Sequence, residues 1–222
     1  MPRPRAAVAL ASMSAVVALL GGCGSDDTAR ADEGPGSVGT LGPGFHDAAV
    51  APAPESTISP RPGSWDDVHP APGYRAVLIT TGKDRPTRTL VTAVTEWARQ
   101  EHVALETLAV KRPTDFVPTI SAAVAKAPDL IISAGNHLVD PLALVTATHL
   151  DQQFLVVGAE VAEPTANVTA ADWTGAAFRG EGLGTPAAYN PKSFTGDRAG
   201  RALRAGVASV LSGLTGIVLW ID

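Results

Sequence analysis

The chain predicts an α/β fold, a doubly wound and mostly parallel sheet of about six strands with helices on both faces. Three observations lead there. Short runs such as Leu130–Ser133 and Phe154–Val157 are apolar almost throughout, as strands covered on both faces must be. Between such runs, apolar residues recur at helical spacing. Capping residues, prolines and glycines mark the changeovers, where a chain passing from strand to helix has to turn.

Taken in order, Arg75-Ala-Val-Leu-Ile-Thr80 reads as the first buried strand. Leu90, Val91, Val94, Trp97 and Ala98 then line one side of a helix. A second strand is expected in Val103–Val110. The next helix should open near Asp115, whose side chain can cap it, with Pro118 tolerated in the first turn and Val117, Ile120 and Val124 as its apolar face. Asp129–Ser133 is the third strand. Asp140 followed by Pro141 marks a helix start, a capping carboxylate and then proline at the first helical position. Phe154–Gly158 and Asn167–Trp173 are the fourth and fifth strands. A last helix from about Asp197 carries Ala199, Leu203, Gly206, Val207, Val210 and Leu211, and stops at Ser212-Gly213. Gly216–Ile221 is the sixth strand.

The residues before this domain have another character. Arg3 and Arg5 precede an apolar run from Ala6 to Leu20, and then come Gly21, Gly22 and Cys23. A positive start, an apolar stretch shorter than the roughly 20 residues of a membrane span, and small residues before a cut site define a secretory signal. The cysteine after two glycines resembles the lipobox of bacterial lipoproteins, which implies a signal peptide over 1–22, lipidation of Cys23 and a cell-membrane location on the extracytoplasmic face. Cys23 is the single cysteine, so no disulfide can form within one molecule. Two acyl chains suffice for a stable anchor. Residues 23–73 are rich in glycine, proline and small polar residues, a composition that predicts a disordered tether carrying a domain at 74–222. Trp65, Asp66, Asp67 and His69 at the end of this tether read as a packing tryptophan with solvated acids, a metal site being the rarer alternative.

Open parallel sheets take ligands beyond the carboxyl ends of their strands, where strand order reverses. That rule selects the loops after strands one, three, four and five. From these loops Thr80, Thr81, Asp84, Asn136, Glu160, Asp172 and Trp173 are the candidate ligand-binding residues, offering hydroxyls, an amide, carboxylates and an indole for a polar solute. Each also has a plain structural reading: the threonines as helix caps, Asn136 as a turn residue, Trp173 as core.

The domain resembles the N-terminal lobe of the basic membrane protein (BMP) family of ABC-transporter solute-binding proteins. The residues that carry the resemblance are Ala127-Pro-Asp-Leu-Ile-Ile-Ser-Ala-Gly135, Gln153-Phe-Leu-Val-Val157 and Asn167-Val-Thr-Ala-Ala-Asp172, within about Tyr74 to Gly180. It implies a single lobe of the type 1 periplasmic-binding-protein fold, a nucleoside-like solute, an ABC permease as partner and no catalysis. The first loop, Thr81-Gly-Lys-Asp-Arg-Pro86, lacks the family's Ser-Phe-Asn-like signature, and Glu160 is displaced from the family's acid at the end of strand four. Family members close two lobes around the ligand. A chain reaching only Asp222 is therefore expected to use a homodimer or another protein to complete the cleft, or to have lost the binding function.

Composition narrows the alternatives. The formal charge is −5 and no basic stripe occurs, which argues against a nucleic-acid polymer as partner. Gly-x-Ser-x-Gly, His-Glu-x-x-His and the phosphate-loop pattern are missing, so no catalytic residue, metal or cofactor is expected. Gly180-Glu-Gly-Leu-Gly184 follows no predicted strand and reads as a loop, and His137 near Asp140 does not by itself make a catalytic pair. Two other readings remain: an envelope interaction module that kept the half-fold, with Gly180–Pro191 as its contact loop, and an α/β enzyme.

Overall fold

The computed structural model describes residues 36–161, 164–176 and 189–221. In chain order the elements are β1 (Ser37–Val38), β2 (Thr57–Ile58), β3 (His69–Pro70), β4 (Arg75–Thr81), α1 (Arg85–Gln100), β5 (Ala104–Val110) and α2 (Phe116–Val124). Then follow β6 (Leu130–Ala134), α3 (Val139–Thr146), β7 (Phe154–Val157), β8 (Val168–Asp172), α4 (Gly196–Leu211) and β9 (Val218–Trp220).

Seven strands form one parallel sheet in the order β2-β9-β8-β7-β6-β4-β5. The α/β class and the parallel sheet expected from the sequence are present, with one strand more than anticipated. Side-chain alternation divides the sheet between two helical layers. Leu78, Ile132, Leu155 and Ala171 meet Leu90, Val94, Trp97 and Leu203 of α1 and α4. Val77, Ile79, Ile131 and Val156 meet Ile120, Leu142 and Val145 of α2 and α3. The central strands are buried on both faces, at about 1.5–3 kcal/mol for each large aliphatic side chain. The chain leaves β4 for the edge strand β5 through α1 and returns past β4 to β6 through α2. Right-handed crossovers in opposite directions put those two helices on opposite faces.

The tether expectation needs correction for the residues described. From residue 36 onward the segment is packed onto the domain. Phe45, Trp65 and Val68 are buried in the core formed with α1 and α4. β1 pairs antiparallel with β3, and β2 adds itself to the sheet edge beside β9. Its backbone is satisfied by specific partners, Gly42 N–H to Ser64 O (2.7 Å), Glu55 N–H to Gly216 O (2.8 Å) and Val218 N–H to Ser56 O (3.0 Å) among them. Average composition hid this, because a few widely spaced anchors suffice when the edge of a sheet supplies hydrogen bonds. Cys23, the signal-like residues 1–22, the first part of the tether and Gly180-Glu-Gly-Leu-Gly184 lie outside the described residues.

Three helix starts also differ in detail. Asp115 does not cap α2. It accepts from Arg112 Nε at 2.8 Å, and a 3₁₀ turn over Pro113–Asp115 leads into the helix. α3 begins at Val139, one residue before Asp140, after a 3₁₀ turn over Asn136–Leu138; the Asp140 charge then sits in the first turn, where the helix dipole favours it. α4 is capped by Thr195, whose Oγ1 accepts from Arg198 N–H at 3.3 Å, and Asp197 pairs with Arg201 one turn on. No helix among the described residues is long and apolar enough to cross a membrane.

Candidate functional site

The reversal of strand order lies between β4 and β6, since β4 has β5 on its other side. α1 and α3 leave the two strand ends toward opposite faces, which brings the loops at Gly82–Asp84 and Gly135–His137 to the place where sheets of this kind take ligands. Asp84 organises it. Its carboxylate caps α1 by accepting from Thr87 N–H at 2.9 Å and from Thr87 Oγ1 at 2.8 Å. Partial burial pushes this carboxyl upward, but the Thr87 bonds and the neighbouring His137 outweigh it and hold it below the ordinary range. Gly82 and Gly135 have φ of 91° and 101°. A Cβ on Gly82 would stand 3.0 Å from Asp84 Oδ2, and one on Gly135 would stand 3.4 Å from Thr87 Oγ1. Both loops therefore press their backbones against the cap, a position that suits glycine.

Of the sequence-derived candidates, Asp84 and Asn136 stand on the two loops at this reversal of strand order. Thr81 is half-buried at the end of β4. Thr80 is only 8% exposed, and its Oγ1 is buried without a hydrogen-bond partner. His137 lies exposed on the opposite loop. Tyr189, which sequence reasoning did not single out, stands 53% exposed, packs against Phe194 at 5.9 Å between centroids, and has its phenol raised by partial burial and by the charge of Asp84. Thr87 was also missed. The pattern Asp84-Arg-Pro-Thr87 carried its signal, a capping acid followed three residues on by a side chain able to return a hydrogen bond.

A second cluster sits at the ends of β7 and β8. Glu160 is 7% exposed and Asp172 is 1% exposed. Their carboxyls act on each other, yet neither Asp172 oxygen reaches a donor in good hydrogen-bond geometry. Burial first, then the charge of Glu160, pushes Asp172 up to about 8; burial likewise raises Glu160. Strand spacing puts β8 about 14 Å from β4, so these acids and Asp84 are separate places on one rim. Trp173 follows Asp172 but does not line the rim. Its indole has no exposed surface, donates from Nε1 to Ser193 Oγ at 3.0 Å and meets Phe194 edge-on at 5.0 Å. As described, it is a core residue that anchors the segment leading into α4.

No family model and no curated protein matches the chain. Solved structures similar to it include an ABC transporter system solute-binding protein from Aeropyrum pernix K1, with 18% identity, a TM-score of 0.42, and 47% of this chain and 29% of that one covered. A solute-binding protein of an ABC transporter system from Conexibacter woesei DSM 14684 has 18% identity and a TM-score of 0.38 over 46% of this chain and 35% of its own. A fragment assigned as a lipoprotein from Peptoclostridium difficile 630 has 14% identity and a TM-score of 0.46, over 62% of this chain and 98% of that one. The chain thus spans about a third of the length of the two solute-binding proteins.

Proposed function

We propose that the chain is an extracytoplasmic lipoprotein, anchored through Cys23, whose α/β domain holds a small polar solute at its carboxyl rim and performs no chemistry on it. The observation that carries this reading is the reversal of strand order between β4 and β6. Asp84, Asn136 and His137 stand on the two loops at that reversal, the position at which sheets of this kind take their ligands. Asp84 is committed to Thr87 and held ionised, which suits a fixed hydrogen-bond acceptor better than a base that must cycle its proton. The BMP resemblance narrows the solute to a nucleoside-like compound passed to an ABC permease.

Thermal unfolding of the full chain in detergent, with nucleosides, sugars and amino acids added in turn, tests the reading. A ligand at a hundred times its Kd adds about 2.7 kcal/mol to the folded state, or several degrees of Tm for a domain of this size. If no solute moves Tm, the reading falls. The anchor has its own test: Cys23→Ser should abolish palmitate labelling and move the protein out of the membrane fraction, and labelling that survives would remove Cys23 from the account.

A further inference from the structure

We propose that the free edge of β5 receives an extended acidic peptide of a partner protein, added to the sheet as a further strand. This surface does not depend on what the rim holds. β5 is seven residues long, Ala104–Val110, and pairs with β4 in unbroken register, with no bulge and no proline. Ala104 N–H donates to Tyr74 O at 2.9 Å, on the β4 side. Backbone polar groups alternate between the two sides of an extended strand, so Leu105, Thr107 and Ala109 aim theirs outward. No other strand among the described residues pairs with that side. Proteins ordinarily blunt a long edge with charges, proline, a bulge or a covering segment. At the opposite edge of this sheet that is done: β2 is two residues long, and Pro60 follows it closely. Along β5 the one charged residue is Glu106.

Two clefts flank the strand and set the chemistry of the occupant. One, of about 280 Å³, is lined by Ala104–Glu106 together with Arg75 and Lys126. The other, of about 410 Å³, is lined by Ala109–Arg112 together with Asp115 and Thr119. Ala104 to Val110 spans roughly 20 Å at about 3.3 Å per residue, so the side chains of one added strand reach both clefts. Glu106 pairs with Lys126 at 3.0 Å, and Asp115 pairs with Arg112 at 2.8 Å. That leaves Arg75 in one cleft and Lys111 in the other as an excess of positive charge, on a chain whose formal charge is −5. Asp129 accepts from the Arg75 backbone N–H at 2.7 Å but does not line the cleft. Acidic side chains toward both ends of an added strand answer these cations. A second copy of the chain fits less well. A twofold axis through Thr107 would carry Lys111 and Arg112 of each copy toward Arg75 and Lys126 of the other.

Fluorescence anisotropy with the full chain in detergent tests this, using a labelled peptide that alternates valine with glutamate and a counterpart that alternates valine with lysine. A third probe is the glutamate peptide N-methylated at every second residue, which removes main-chain donors and keeps the charge. The glutamate peptide should bind and the lysine peptide should not. N-methylation should weaken binding by about tenfold or more, the equivalent of one or two main-chain hydrogen bonds. Thr107→Pro should abolish binding while leaving the β4 ladder whole, because the N–H it removes points outward. Lys111→Glu, at an exposed side chain, should weaken binding of the glutamate peptide and decides the matter if the proline variant does not fold. A glutamate peptide that does not bind overturns the proposal. So does a lysine peptide or an N-methylated peptide that binds equally well, since strand addition to a cationic edge would then explain nothing. A dimer in sedimentation that Thr107→Pro dissociates would make a second copy the occupant and overturn it too.

Discussion

Replacing Asp172 with asparagine should make the folded chain markedly less sensitive to alkaline pH. The side chain is 1% exposed, and burial together with the Glu160 charge lifts its carboxyl from 3.8 to about 8. In the unfolded chain the same group ionises near its ordinary value. Between those two pH values the native state therefore holds more protons than the unfolded one, and stability falls as pH rises. The group's stabilising contribution is complete below about pH 4 and is lost once pH has passed about 8. At about 1.4 kcal/mol per pH unit, the window from pH 5 to pH 8 corresponds to a loss on the order of 4 kcal/mol, an upper bound because Glu160 shares the proton. Asparagine has no charge to lose, and its amide can donate to Glu160. Urea unfolding of both proteins at pH 5, 6, 7 and 8 isolates the effect, because ionisations elsewhere cancel in the difference. The variant should gain on the parent steadily with pH and exceed it by several kcal/mol at about pH 8. Parallel profiles for the two proteins would show that Asp172 is already ionised at neutral pH, and the argument from burial would be wrong.

Other substitutions probe different parts of the fold. Trp65→Ala should cost about 3–5 kcal/mol in chemical unfolding, since Trp65 is buried against α1 and α4; a change under about 1 kcal/mol would restore the tether picture of this segment. Gly158→Ala should cost about 2–4 kcal/mol, because φ is 73° and the new Cβ would stand 2.8 Å from Phe194 Cε1 and 3.1 Å from Trp173 Cη2; an unchanged urea midpoint would contradict the close approach. Asp84→Ala should lose about 1 kcal/mol by uncapping α1 and should speed amide exchange in its first turn, whereas Asp84→Asn should retain most of the cap; equal exchange in all three proteins would argue against the Thr87 bonds.

The folding pattern was legible where local chemistry decides it. Arg75–Thr81, Leu130–Ala134 and Phe154–Val157 cannot be satisfied by a half-solvated strand, and the apolar stripe through Leu90, Val94 and Trp97 has only a helical period. Helix starts were legible less well. Asp115 and Asp140 have the right side chains for caps, but a 3₁₀ turn ahead of each helix shifted the register of the first turn. At the rim, the strand-end rule placed Asp84 and Asn136 at the reversal of strand order without any knowledge of the neighbouring strands.

What the amino-acid order determined by itself was the alternation of strand and helix, and with it the rim on which strand-end loops must gather, because hydrophobic period and capping act over a few residues. Three matters were settled only by long-range packing. Gly36–Gly73 found partners 100 or more residues away on β9 and α4, turning a segment with the composition of a linker into a seventh strand and part of the core. Trp173, which could have lain open on the rim, was drawn inward by Ser193 and Phe194. Glu160 and Asp172, twelve positions apart in sequence, became a buried acidic pair because β7 and β8 are neighbours in the sheet and the packing over their ends covers both side chains. Burial and the charge of a distant neighbour depend on the whole fold, and no local pattern encodes them.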